Sequence, residues 1–448
     1  MIHIAGLGPG DAGSITMETY NLLKNTKVVL RTKIHPTVAT LEDWRVEYRS
    51  LDHVYEENDS FEGVYSDLAK EVLKLYQDDF KDMTYCVPGN PLIAEKSVVE
   101  LVALLKEAKI PYKIHSAVSF IDVILEVLER DPIKGLLILD AQDLGRKGIT
   151  GETDTILTQV YNKRIASEVK LALTDYLDDE TEIIYIRNAG IGGEELIRRI
   201  PLWALDRQDD IDHLTSVFIE ADAVKPGFND FRRTISTLRE PGGCPWDREQ
   251  THESLRRYLI EEAYEAADAI TEGEMDDVRE ELGDVLLQVV LHSRIAEENG
   301  DFTIQDVIRT VNEKMITRHP HVFSNLEVDD TKEVLYNWEK IKKTEKGEMS
   351  LAEKLEKLPR SVPATMRAQE VIKKAKSYGY ASRSTKELIK QLTDLLKDEA
   401  LNEEKKLADV LFYTVLLVDA YGFQAESSLS ERVDYEIKQL VIIDEKLK

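Results

Sequence analysis

At Pro226-Gly227 the texture of the chain changes once, from short β-rich runs alternating with helical stretches to a long series of amphipathic helices. Before that point, strand candidates at 2–5, 27–30, 84–87, 136–139 and 182–186 alternate with helical patterns at 97–108 and 120–128. This is the pattern of an α/β domain with a mixed or mostly parallel sheet. After it, periodic apolar positions predict helices at 229–238, 253–271, 275–299, 303–318 and 331–344, so the second part reads all-α. A Gly-Glu-Met-Ser break at 347–350 precedes further helices. A chain of 448 residues exceeds one ordinary core, and these punctuations divide it into an α/β domain over 1–222 and helical segments over 223–346 and 347–448.

The final segment echoes the one before it. Lys406-Leu407-Ala408-Asp409-Val410-Leu411 repeats Glu281-Leu282-Gly283-Asp284-Val285-Leu286, with Lys406 in place of the first acid. The stretch 388–396 carries no matching carboxylate cluster. The tail is therefore expected to be a decayed second copy that packs and dimerises, with little metal affinity of its own.

Charge decides which partners are admissible. With 85 acidic against 58 basic residues, the formal charge of -27 repels nucleic-acid backbones and anionic membranes. An anionic small substrate needs divalent cations or local Lys and Arg to approach. Cys86 and Cys244 stand far apart, without zinc or disulfide spacing, which suits a reducing compartment. Met1 to Gly6 runs into a glycine-rich turn without a basic leader, and no apolar run reaches membrane-spanning length, so a cytoplasmic protein is expected.

Glu261, Glu262 and Glu265 lie on one predicted helix, and Glu281 and Asp284 follow on the next, across a Glu272-Gly273 turn. Residues three apart share a helical face, so Glu262 pairs with Glu265 and Glu281 with Asp284. Leu255, Leu259, Ala263, Ala266 and Ile270 on one helix, and Val278, Leu282, Val285, Leu286 and Val289 on the other, mark a packed face that the carboxylates border. Ala263, Ala266, Ala267 and Gly283 are small enough to let antiparallel helices approach. Four carboxylates in contact raise one another's pKa unless a cation intervenes, and an all-oxygen set without His or Cys suits magnesium rather than zinc. By itself a Glu-Glu-x-x-Glu run is the pattern of a solvated helix face; the second pair on the next helix is what points to metal.

These residues resemble the MazG nucleoside triphosphate pyrophosphohydrolases, whose hallmark is Glu-Glu-x-x-Glu followed by Glu-x-x-Asp. The stretch from Leu238 to Asp247, Gln250-Thr251-His252, Ser254-Leu255 and Arg318-His319-Pro320-His321-Val322-Phe323 carry the likeness across most of 226–345. The resemblance implies an all-α, dimeric or higher-order enzyme that cleaves nucleoside triphosphates to monophosphate and pyrophosphate. Glu262, Glu265, Glu281 and Asp284 would ligate magnesium, with Glu261 completing the shell or orienting water. Lys314, Arg318 and His319 are expected to meet the triphosphate tail, although basic groups at a helix C-terminus also complement its dipole. Lys340, Lys342 and Lys343 read as a solvated face. Trp246 either stacks on a base or plugs the core.

In the first part, Gly6-Leu7-Gly8-Pro9-Gly10-Asp11-Ala12-Gly13 follows the opening strand, with a helix starting near Ser14 or Thr16. Residues 8–13 satisfy G-x-G-x-x-G, but the second strand ends at Leu30-Arg31 without the acid a nicotinamide site needs. Gly8-Pro9-Gly10-Asp11, Pro88-Gly89-Asn90-Pro91 and the 116–120 segment, Ser119 included, resemble tetrapyrrole methylases, which bind S-adenosylmethionine between two α/β subdomains. Ala117 departs from that pattern, where glycine is usual, and puts methyl transfer in question. His3 reads as a strand residue. The combination is similar to bifunctional proteins that fuse a methylase-like half to a MazG half. Two rivals stand beside hydrolysis: a methyltransferase whose helices serve dimerisation or nucleotide sensing, and a nucleotide-binding scaffold that activates no water.

Overall fold

A computed structural model describes residues 1–448 except 57–60, 79–80, 325, 347–349, 381–382, 398–402 and 448. The chain falls into two compact units, Met1–Ile295 and Ala296–Lys448.

The first unit contains two five-stranded sheets, where the strand pattern suggested a single sheet and the resemblance two α/β subdomains. The first sheet has the order β3-β2-β4-β1-β5, built from β1 (Ile2–Gly6), β2 (Lys27–Leu30), β3 (Tyr48–Ser50), β4 (Met83–Val87) and β5 (Tyr112–Ile114), all parallel. All five residues of β4 are buried, as a parallel strand covered on both faces requires. Side chains alternate across it: Met83, Tyr85 and Val87 join one core with Ile2, Ile4, Val72 and Leu101, while Cys86 joins the opposite core with Ala5, Leu30 and Leu41.

The second sheet has the order β6-β7-β10-β8-β9, from β6 (Leu136–Asp140), β7 (Asp154–Thr158), β8 (Glu182–Arg187), β9 (Leu196–Pro201) and β10 (Thr215–Ile219). Only β6 and β7 run parallel; the other pairs are antiparallel. This sheet is mixed and the first is parallel, the two forms the strand pattern allowed; here no helical crossover separates β8 from β9, and a short loop returns the chain antiparallel. Helix Lys163–Leu173 covers one face through Ile165, Val169 and Leu173. Helix Phe120–Val127 covers the other, packing Ile121 and Ile124 on Ile156, Ile184 and Phe218.

The same unit includes helices Phe228–Arg239, His252–Glu272 and most of Met275–Asn299. Thr251 caps His252–Glu272 by accepting from the Ser254 N–H, and Gly273, with φ +86, ends it. Ile235, Leu255, Val290, Leu291 and Ile295 form the helical core. The expected packed face is covered only in part: Leu255 and Ala266 are buried, but Ile270, Leu282 and Leu286 are 60%, 52% and 41% exposed. A Cβ on Gly283 would meet nothing within 4 Å, so the small residue there is not what lets the helices approach within one chain.

In the second unit, helices Ile304–Arg318 and Thr331–Lys346 pack together, followed by Leu351–Glu356, Ala364–Ser377, Thr385–Leu396, Glu404–Ala420 and Ala425–Leu447. Gln369 is buried and ties two helices by donating to the Phe423 carbonyl and accepting from the Ala425 N–H. Of the expected break at 347–350, residues 347–349 lie outside the described residues. Among the described residues, no single helix is long and apolar enough to cross a membrane.

Candidate functional site

The left-handed Gly273 turn folds Met275–Asn299 back along His252–Glu272, so that acids 16 to 19 residues apart meet. One oxygen each from Glu262, Glu265 and Glu281 lies within 4.8 Å of the others. Asp284, a turn beyond Glu281, stays outside this triad but is close enough to act on it. Burial and then the charge of Asp284 push the Glu262 carboxyl up, helped by a hydrogen bond with Glu265 and by Glu261. Burial followed by Glu265 and Asp284 does the same to Glu281. Every charged neighbour dominating these shifts is itself acidic.

The Oε2 atom of Glu281 is buried without a hydrogen-bond partner. A buried carboxylate oxygen without a donor needs a proton or a cation. The all-oxygen donors and the unsatisfied atom fit a hard divalent ion. Among the described residues no second group of three such ligands closes up, so the echo in the tail forms none.

A cross-helix contact that sequence reasoning did not identify lies farther along the same pair of helices. His252 and His292 stack with ring centroids 5.0 Å apart and Nδ1 atoms at 2.7 Å. Burial, then His252, holds His292 below the ordinary histidine range.

The other expected nucleotide contacts have varied surroundings. Trp246 is 57% exposed and does not plug a core. Lys314 and Lys340 are exposed, and Lys342 is half-buried. The Lys343 side chain lies outside the described residues. Arg318 donates to Glu345 at 2.6 Å and lies over the Trp338 ring, so its charge is already paired. The His319 ring meets Trp338 edge-on, with Nδ1 2.6 Å from the Met315 carbonyl.

In the α/β part the two glycine turns clasp each other at the carboxyl ends of β1 and β4, the end of a parallel sheet where ligands gather. Gly8 and Gly89 exchange hydrogen bonds, Gly89 N–H to Gly8 at 2.9 Å and Gly8 N–H to Gly89 at 3.3 Å. Gly10, at φ +156, abuts Ile191: a Cβ there would lie 2.6 Å from its side chain. Asp11 accepts from the Gly13 N–H, and Asn90 donates to the Ala117 carbonyl at 2.7 Å. A Cβ on Gly6 would strike Gly89, Ala117 and Pro91. Ser119 is spent on capping helix Phe120–Val127, donating to Asp122 and accepting from its N–H.

Pro9, Pro88 and Gly89 line a cavity of about 290 Å³ whose lining also includes Asn188, Ala189 and Ile191. That is the small end of the range for ligand pockets. A Cβ on Gly89 would meet no protein atom within 4 Å, so the space there is open to a ligand. These observations fit a cofactor such as S-adenosylmethionine at the turns. The same cavity contains Arg31, His35, Tyr55, Tyr65 and Glu95, none of which the motifs pointed to.

Two family models match the chain, one over its α/β part and one over its helices. The family model for Tetrapyrrole (Corrin/Porphyrin) Methylases matches residues 1–204, and that for the MazG nucleotide pyrophosphohydrolase domain matches 250–323. The chain is 42% identical over 377 residues to the uncharacterized protein YabN of Bacillus subtilis, spanning 83% of this chain and 76% of that one. It is 37% identical over 209 residues to the nucleoside triphosphate pyrophosphohydrolase of Escherichia coli K12, spanning 44% and 79% of the two chains. To the nucleoside triphosphate pyrophosphohydrolase/pyrophosphatase MazG of Thermotoga maritima it is 42% identical over 207 residues, spanning 45% and 79%.

Proposed function

Since the chain belongs to the family of YabN-like fusions of a tetrapyrrole-methylase half with a MazG half, we propose that residues 223–346 hydrolyse nucleoside triphosphates to monophosphate and pyrophosphate. The observation that carries this reading is the convergence of Glu262, Glu265 and Glu281 within 4.8 Å around a partnerless buried oxygen. Asp284 joins them as the fourth magnesium ligand. When bound, magnesium supplies Lewis acidity and neutralises phosphate charge. Glu261, exposed beside the triad, holds the attacking water and takes its proton at the carboxylate. Trp246 is a proposed substrate contact; the contacts of Lys314, Arg318 and His319 with the triphosphate stay what the sequence resemblance implies, and Arg318 is paired with Glu345 in this structure.

Pyrophosphate release from several (deoxy)nucleoside triphosphates, with magnesium and with chelator, tests the proposal. Glu265→Gln and Asp284→Asn should each abolish turnover. Retained turnover in both rejects the assignment.

A second activity rests on the turns at 8–11 and 88–91. In this reading residues 1–222 bind S-adenosylmethionine, and saturable binding should disappear when Gly10 becomes Trp, because the new side chain meets Ile191. The half-covered apolar positions Ile270, Leu282 and Leu286 support a homodimer or higher homo-oligomer, with 347–448 as a packing copy. Light scattering on the full chain reads the subunit number. The chemistry suits a cytoplasmic enzyme of nucleotide metabolism.

A further inference from the structure

The cavity beside the glycine turns has a charged wall that the hydrolase reading does not use. Arg31 follows the last residue of β2, and its backbone N–H donates to Cys86 on β4, which fixes it at the sheet's carboxyl edge. Its Nη1 donates to Glu95 at 2.8 Å, with the two side chains 19% and 3% exposed. The other oxygen of Glu95 accepts from the Ser97 hydroxyl at 2.7 Å, and that hydroxyl lies 2.9 Å from the Tyr85 hydroxyl. Both oxygens of Glu95 are thus engaged within the protein. The guanidinium is not: its Nε is buried without a hydrogen-bond partner, as is Nδ1 of His35 on the same loop.

The loop itself is braced. Asp52 accepts from the Thr32 hydroxyl and from the Lys33 N–H at 2.9 Å, and from Ser50. Burial lifts the Asp52 carboxyl, but the hydrogen bonds outweigh it and hold the group below its usual range. Tyr55 and Tyr65 complete this wall. Burial pushes the Tyr55 phenol up to about 12 and raises Tyr65 as well, so both keep their O–H at neutral pH. The wall offers one permanent cation and two phenol donors, while its carboxylate is already satisfied. Such a surface favours a group that only accepts hydrogen bonds.

The geometry points to a binding site for a small molecule bearing an oxyanion, carboxylate or phosphate, seated on the Arg31 Nε–H and the Tyr55 and Tyr65 hydroxyls. Its place as a methyl acceptor beside the turns rests on the S-adenosylmethionine reading; the site does not.

Calorimetric titration of the full chain, in chelator without magnesium, with inorganic phosphate and acetate, each with and without S-adenosylhomocysteine, tests this and separates the two oxyanions. At least one probe should bind. Affinity should fall about tenfold or more in Arg31→Gln, the loss of a charge-assisted hydrogen bond. It should fall by less in Tyr55→Phe and be unchanged in Lys147→Ala, which alters a surface pair with Asp143. Because Arg31→Gln strands Glu95, the double variant Arg31→Gln/Glu95→Gln keeps the wall neutral, and circular dichroism confirms its fold. The proposal is overturned if no probe binds the folded wild type, or if binding survives in the double variant. Failure of S-adenosylhomocysteine to bind, with oxyanion binding intact, removes the methyl-donor reading and leaves this one standing.

Discussion

Glu281 embodies a conflict between stability and function. Its charged form is disfavoured by burial and by acidic neighbours, so Glu281→Gln should raise the melting temperature of the metal-free protein at neutral pH while removing a proposed ligand. With magnesium present the order should reverse. The loss of metal affinity should exceed the roughly 10–100-fold that an outer-shell partner commands. An unchanged melting temperature without metal would show that the repulsion is relieved in another way. His35 gives a second residue-scale prediction. Burial, then Arg31 and His213, lowers its pKa from 6.5 to about 4, so the native state excludes a proton that the unfolded chain accepts. Its contribution is present above pH 6.5 and lost as pH falls toward 4. Between pH 7 and pH 4, His35→Gln should therefore lose about 3 kcal/mol less stability than wild type, read by urea titration at each pH.

At the scale of elements, the Gly273 turn sets the register of the carboxylate helices. With φ +86 and open space around a Cβ, Gly273→Ala should cost about 1 kcal/mol through backbone strain alone, measured by urea unfolding, without a packing clash. Much of this was legible in the sequence because caps and helical faces are local. Thr16, Thr251 and Thr303 stand at the helix starts, and the spacing of Glu262, Glu265 and Glu281 places acids on facing sides. Sheet pairing was not legible, since β1 takes β4 as a neighbour some 80 residues away and nothing in either strand names the other. β3 and β5 are three-residue edge strands, too short to show a period, and β10 is buried throughout and shows no alternation. The cavity wall escaped for the same reason: Arg31 and Glu95 belong to no motif and meet only when β2 and β4 pair.

Over the whole molecule, a formal charge of -27 makes a divalent cation a structural asset as well as a chemical one. Magnesium at about 100 times its dissociation constant should stabilise the folded chain by about 2.7 kcal/mol, visible as a rise in melting temperature. The rise should shrink as the pH is lowered from neutral, because the lifted carboxyls of Glu262 and Glu281 take up protons before an ordinary carboxylate does, and a cation must displace them. Equal shifts at neutral and lowered pH would place the ion elsewhere. The clasp between Gly8 and Gly89 has a consequence for how the α/β part breathes. Each amide donates to the other glycine's carbonyl, so neither can exchange deuterium unless both swing open, and the two should share a single opening rate.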